Sequence, residues 1–218
     1  MQLIFEQIRA GGDRNLGYLL GDRDTGQGVL VDPSYSPDAF VERARDQRLT
    51  VTHVVNTHGH PDHTNGNARA VELTRASVAA WANSALVSPD IGLADEQELD
   101  IGGLQLRFLH VPGHCPDHLL VYEPTWRILL TGDLLFVGKV GGTANDDDAR
   151  EEWTSLQRLL DRFPDEATVW PGHDYGARPS STIGLERATN PFLQSRDLAA
   201  FLAIKRDWPV VKQRLGLK

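Results

Sequence analysis

The sequence predicts an α/β protein in which two β-sheets lie face to face with helices outside. Three observations lead there. Short apolar runs of strand length recur in both halves of the chain, with turn-rich segments between them. Each of these β-rich blocks is closed by segments of helical periodicity. Several of the apolar runs end directly in loops that carry histidine or aspartate. The chain has 218 residues, 40% apolar and 24% charged, enough to bury a large core. No low-complexity tract, repeat or linker interrupts it, so residues 1–218 are expected to form one domain with a short helical tail at about 182–218.

Residues 2–8 set Leu3, Phe5 and Ile8 against Gln2, Glu6 and Gln7, the alternation of a half-buried strand. Residues 17–20 and 28–31 flank the turn-rich GDRDTGQG and read as a hairpin. Over 36–48, Phe40, Val41 and Ala44 share a helical stripe, with Ser36-Pro37 as cap and first helical position. Residues 51–55 form a short strand running into THGHPDH, and 67–74 are helical. In the second half, 104–111, 119–123 and 127–130 are strands, the last ending in TGD. A helix follows over 151–163. Asp146, Asp147 and Asp148 precede it and are read as capping groups that satisfy its free N–H groups, not as a metal cluster. Val169 and Trp170 form a strand delivering PGHDY, and 182–214 is mostly helical with breaks at Pro191 and Pro209.

The balance of 22 basic against 30 acidic residues gives a formal charge of -8. That argues against nucleic acid and anionic membranes as partners, since both need clustered Lys and Arg. No apolar stretch approaches the ~20 residues of a membrane span. MQLIFEQIRAGG lacks the basic start and apolar run of a signal peptide. A single cysteine, Cys115, excludes an internal disulfide. The expected compartment is the cytoplasm.

His58, His60, Asp62 and His63 make an H-x-H-x-D-H segment directly after a strand. Two histidines at i and i+2 of extended chain point the same way and can reach one ion. Asp62 and His63 follow Pro61, which would start a helix, and so aim at a second ion. A lone histidine here would be structural; three within six residues, with a carboxylate among them, would be odd to bury without a metal. His114 in VPGHCPDH, Asp133 in LLTGDLLF and His173 in VWPGHDY each follow a strand and complete seven ligands. Imidazole with carboxylate suits zinc, iron or manganese rather than calcium or magnesium, which prefer oxygen shells.

THGHPDH, PGH, TGD and PGHDY, in this order, resemble the metallo-β-lactamase superfamily over nearly the whole chain. The resemblance implies a four-layer αβ/βα sandwich of two mixed β-sheets, with the site along one edge. It assigns His58, His60 and His114 to a first ion and Asp62, His63 and His173 to a second, with Asp133 bridging. Two divalent ions are expected, zinc first, with iron or manganese as alternatives. Glyoxalase II and the persulfide dioxygenases are the nearest branches, because true β-lactamases use cysteine where this chain has Asp133.

Two reactions share that motif. In the hydrolase reading the paired ions lower the pKa of a water from 15.7 towards ~7. The resulting metal-bound hydroxide, with Asp62 as its catalytic partner, attacks a small acyl thioester or ester, and a thiolate leaves without a general acid. In the dioxygenase reading a single Fe(II) on His58, His114 and Asp133 leaves positions open for oxygen and a thiol persulfide. The tail HDYGARPSSTIGLERATNPFL resembles the persulfide dioxygenases. A non-catalytic scaffold is a third possibility, but a scaffold would be expected to lose ligands, and all seven are kept.

Both branches carry a basic residue near the position of Gly142 that helps bind the thiol substrate. Lys139 is the candidate to replace it, and Tyr175 matches a position near the substrate, though a buried aromatic is the plainer reading. Asp32 resembles a position that supports the site without touching metal. Of the remaining histidines, His53 is expected to be structural, while His110 and His118 flank the His114 loop and are candidates to stand behind the ligands. Cys115, next to a ligand, should point away as a small buried side chain. A homodimer through the C-terminal helices is a further expectation.

Overall fold

A computed structural model describes residues 1–214; the last four residues of the expected tail lie outside the described residues. Strands β1 (Leu3–Gly11), β2 (Asn15–Asp22) and β3 (Gln27–Val31) pair antiparallel as a meander. Helix α1 (Pro37–Asp46) crosses to β4 (Thr50–Val55), and α2 (Pro61–Thr64) and α3 (Asn67–Thr74) cross to β5 (Ser77–Trp81). From β3 through β4 and β5 to β6 (Ile91–Leu93), each strand runs parallel to the one before, so the first sheet reads β1-β2-β3-β4-β5-β6.

The second sheet begins with β7 (Glu98–Ile101), β8 (Leu104–His110), β9 (Leu119–Glu123) and β10 (Ile128–Gly132), all antiparallel. A small hairpin, β11 (Leu135–Phe136) with β12 (Lys139–Val140), leads into helix α4 (Asp146–Arg162). Strand β13 (Thr168–Pro171) then pairs parallel to β10, and β14 (Ser181–Thr182) closes the edge. The order is β14-β13-β10-β9-β8-β7. Helices α5 (Ile183–Thr189) and α6 (Leu198–Arg214) end the described chain.

Strand alternation builds the layers. On β2, Tyr18 and Leu20 enter the space between the sheets with Phe108 and Val121, while Leu19 points to the other face with Phe40 and Val41 of α1. On β9, Leu119 and Val121 face the other sheet and Leu120 lies under Leu156, Leu159 and Phe201 of α4 and α6. The result is helix, sheet, sheet, helix, as the sequence predicts.

Three details correct the sequence reading. Helix α4 begins at Asp146 rather than at 151, because Asn145 is the cap: its side-chain oxygen accepts from the N–H groups of Asp147 and Asp148 at 2.8 and 2.9 Å. The acidic run is the first turn itself, which favours negative charge. Helix α6 runs through Pro209 to Arg214 instead of stopping. Proline inside a helix removes one backbone bond and bends the axis, but it need not end a helix anchored by packing such as that of Phe201 and Leu202. Finally, β5, β6, β7, β11, β12 and β14 have two to five residues each and no readable alternation; only their neighbours make them strands. Among the described residues no helix is long and apolar enough to cross a membrane.

Candidate metal centre

The register of the sheets places four strand ends along one edge. Strands β8, β10 and β13 run the same way, because β9 is antiparallel to both β8 and β10 and β13 is parallel to β10. Their carboxyl ends lead to His114, Asp133 and His173, and β4 of the facing sheet leads to His58. Backbone bonds stitch the sheets together at this edge: Leu119 donates to Thr57 at 2.7 Å and Leu16 to Gly172 at 2.8 Å, while within the second sheet Gly172 donates to Gly132 at 2.7 Å. Gly132, at φ +47°, turns the chain so that Asp133 faces inward; a side chain there would strike His118 and Thr57.

All seven predicted ligand residues meet at this edge. His60 is extended (φ -62°, ψ 143°) and Pro61 opens α2, so His60 and Asp62-His63 diverge as the sequence suggests. Nε2 of His58 and Nε2 of His114 lie 3.0 and 3.1 Å from Nδ1 of His60. Nε2 of His173 lies 3.4 Å from Asp62 Oδ2, and Nε2 of His63 lies 3.7 Å from the same oxygen. Asp133 stands between the two groups: its carboxylate is 3.6 Å from Nε2 of His114, 3.2 Å from that of His173 and 3.4 Å from that of His63. Ligand atoms within 4.8 Å of one another form the groups His58/His60/His114, His58/His63/Asp133 and Asp62/His63/His173.

Cations fit this arrangement. Nε2 of His63 and Oδ1 of Asp133 are fully buried and have no hydrogen-bond partner, a costly state unless something else is held there. Charge agrees. Despite burial, the Asp133 and Asp32 carboxylates hold the His63 imidazole well above its usual pKa. Likewise His173, despite burial, is pushed up to about 9 by Asp133 and Asp62. The field at this edge therefore favours positive charge, which a proton or a metal ion can supply.

A second set of groups orients the rings. Asp32 Oδ2 accepts from Nδ1 of His63 at 3.0 Å, the Gly142 carbonyl from Nδ1 of His114 at 2.7 Å, and the Asp13 carbonyl from Nδ1 of His173 at 2.9 Å. Each bond turns Nε2 toward the centre. Asp32 is held in turn by Thr57, whose N–H and hydroxyl donate to it at 2.9 and 2.6 Å. Its backbone lies at φ +48°, uncommon for a residue with a side chain. His118 stands behind the site: its Nε2 accepts from the Asp133 N–H at 3.0 Å and its ring stacks on His58. His110 does not touch the ligands; it stacks flat on Trp81 and pairs with the Pro116 carbonyl at 2.8 Å, so of the two candidates only His118 stands behind the ligands. His53 sits half-buried on β4 beside Thr52. Cys115 points away, its thiol donating to Asp117 at 2.8 Å, and burial pushes it up to about 12.

Several supporting residues were not legible in the sequence. Asn15 donates to the Asp62 carboxylate at 3.0 Å and to its carbonyl at 3.1 Å. Ser34 also donates to that carbonyl. Asp13 serves His173 through its backbone and Tyr175 through its carboxylate, 2.6 Å from the phenol. These residues lie more than 25 positions from their partners, and the only hint is the turn chemistry of GGDRN and DPSY. Tyr175 stacks on His173 with centroids 4.7 Å apart, and the Lys139 ammonium sits 3.7 Å from the Tyr175 ring centre. Burial, with Lys212 and Arg14 nearby, lowers Lys139 to about 8.

The chain is similar to known proteins. A hydroxyacylglutathione hydrolase from Polaromonas sp. (strain JS666 / ATCC BAA-500) is 33% identical over 178 residues, covering 79% of this chain and 67% of that one. The crystal structure of ETHE1 from Myxococcus xanthus superposes with a TM-score of 0.86 at 32% identity, covering 94% of this chain and 91% of that one. The structure of TTHA1623 in a di-iron-bound form matches with a TM-score of 0.70 at 30% identity, over 86% of this chain and 100% of that one. The family model described as Metallo-beta-lactamase superfamily matches residues 11–173, the span from the turn before Asn15 to the last of the seven ligand residues. With that match, a sandwich of two mixed sheets and a histidine–aspartate cluster on its edge, this chain belongs to the metallo-β-lactamase superfamily.

Proposed function

We propose that this protein is a metal-dependent hydrolase of the glyoxalase II type, acting on a small acyl thioester or related ester. The observation that carries this reading is the completeness of the cluster: two three-residue groups with Asp133 between them. His58, His60 and His114 would hold one divalent ion and Asp62, His63 and His173 the other, zinc in the first instance, with Asp133 shared. When bound, such ions lower the pKa of a water and polarise a substrate carbonyl. The name borne by the Polaromonas relative supports the thioester class, as does the di-iron form of TTHA1623 the pairing of ions.

The chain's own groups do the rest. Asp32, Gly142 and Asp13 each accept from Nδ1 of one histidine, which leaves the three Nε2 atoms aimed at the place where the ions would sit. Asn15 fixes the Asp62 carboxylate, and His173 beside it holds that carboxyl far below the usual range, so Asp62 stays ionised beside the ion it would hold. A thiolate leaves unprotonated, so no acid is needed on its side. A cavity of about 420 Å³ borders Lys139, Gly142, Arg206 and Trp208, and Lys139 also lines a second of about 190 Å³ beside Tyr175. We assign Lys139 to an acidic end of the substrate and Tyr175 to the wall beneath it. The lone, buried thiol of Cys115 suits the reducing cytoplasm.

A second reading, a persulfide dioxygenase with one iron on His58, His114 and Asp133, is favoured by the tail. Glu186 and Asn190 of that segment brace the β11–β12 hairpin, accepting from Gly138 N–H at 2.8 Å and donating to the Lys139 carbonyl at 3.3 Å. Metal analysis of protein purified without added metal separates the two. About two zinc-type ions per chain, with thioester turnover lost on chelation, is the expected result. One iron per chain, with oxygen uptake on a persulfide, would overturn the first reading in favour of the second.

A further inference from the structure

Glu152 of α4 and Lys205 of α6 form an ion pair in which the carboxylate is wholly buried and the lysine side chain is 11% exposed. One Glu152 oxygen meets the ammonium; the other, Oε1, has no hydrogen-bond partner. Such a pair is a poor way to pack two helices, because apolar side chains of similar volume do so without desolvating charge. What apolar side chains could not supply is a donor, and the ammonium gives one to the Gly141 carbonyl at 2.9 Å.

That carbonyl sits next to a ligand. A Cβ at Gly141 would fall 2.9 Å from Nδ1 of His114, so the backbone there lies flat against the ring. The following carbonyl, of Gly142, is the acceptor for that same Nδ1 at 2.7 Å. From the other side, α4 holds the loop on which His114 is carried. Gly113, at φ +134°, leaves no room for a side chain because the Glu152 backbone would lie 2.4 Å away, and Ser155 donates to the Pro112 carbonyl at 2.7 Å. Glu152 therefore touches the segment that bears His114, and Lys205 tethers the segment that orients its ring.

We propose that the Glu152–Lys205 pair is a positioning device for His114, holding the loop that carries it and the backbone that orients its ring, and so setting the affinity of one metal site. This rests on the reading of His114 as a metal ligand. It predicts a loss confined to the ion on His58, His60 and His114, with the ion on Asp62, His63 and His173 unaffected.

The test uses the full chain loaded with cobalt(II), whose ligand-field absorption reports each site, and His114→Ala identifies the bands of the first site. Lys205→Met, and the double variant Glu152→Gln/Lys205→Met should the single change not fold, are expected to bind that ion about 10- to 100-fold more weakly with its bands shifted. Leu202→Ala, which loosens the α6 packing without touching the pair, is expected to be less stable yet to bind both ions as the parent does. Unchanged affinity and bands in both pair variants would overturn the proposal. So would equal weakening of both ions, or an equal effect of Leu202→Ala. A parent protein that takes up no cobalt would overturn the metal reading itself, and with it this inference.

Discussion

Replacing Asp32 by asparagine keeps the side chain's volume and removes only its charge and one acceptor face. The carboxylate is 2% exposed and accepts from the Thr57 N–H, the Thr57 hydroxyl and Nδ1 of His63. With the amide oxygen held by Thr57, the amide nitrogen faces Nδ1 of His63, and two donors cannot share that contact. The imidazole proton then moves to Nε2, the atom 3.4 Å from Asp133 and 3.7 Å from Asp62, which can no longer bind a cation. Losing such an outer partner weakens a metal by about 10- to 100-fold, or about 1.4 to 2.7 kcal/mol. The metal-free fold should lose about 1.5 to 3 kcal/mol, the range for a buried hydrogen bond to a charged group. Competition titration against a chromophoric chelator measures the first quantity and urea unfolding of metal-free protein the second. The reasoning is refuted if Asp32→Asn holds both ions as tightly as the parent, or if the ion it loses is the one on His58, His60 and His114.

Three further outcomes are expected. His58→Ala and Asp133→Ala should abolish metal-dependent turnover while circular dichroism shows a retained fold, since the three apolar clusters do not include these side chains; turnover by a verified Asp133→Ala protein would contradict its shared role. Gly172→Ala would place a Cβ 2.3 Å from Asp133 Oδ1 and 2.9 Å from His63 Cε1, displacing both groups, so metal content measured by emission spectrometry should fall along with activity. Lys139, lowered to about 8 by burial and neighbouring cations, is charged below that pH and neutral above it. KM for an acidic thioester should therefore rise as pH climbs through about 8, and Lys139→Arg should carry that inflection upward; identical KM profiles for the two proteins would remove Lys139 from substrate binding.

The sequence by itself determined the layer order and the seven polar side chains at the site. Alternation along residues 3–8, the stripe of Phe40, Val41 and Ala44, and the spacing within THGHPDH are local patterns set by the periods of strand and helix, and local patterns survive in one dimension. Tertiary structure alone decided the rest. Strands as short as β6, β11 and β14 exist only because a neighbour supplies their hydrogen bonds, and Asn145 rather than the acids after it caps α4 because of its backbone angles. The sequence marked Asp32 as a support but not the ring it orients, His63; that partner, like Asp13 for His173 and the Gly142 carbonyl for His114, lies 28 to 160 residues away along the chain. A hydrogen bond of 3 Å carries no trace of its length in sequence, so such pairings appear only when the chain folds and brings its strand ends to one edge.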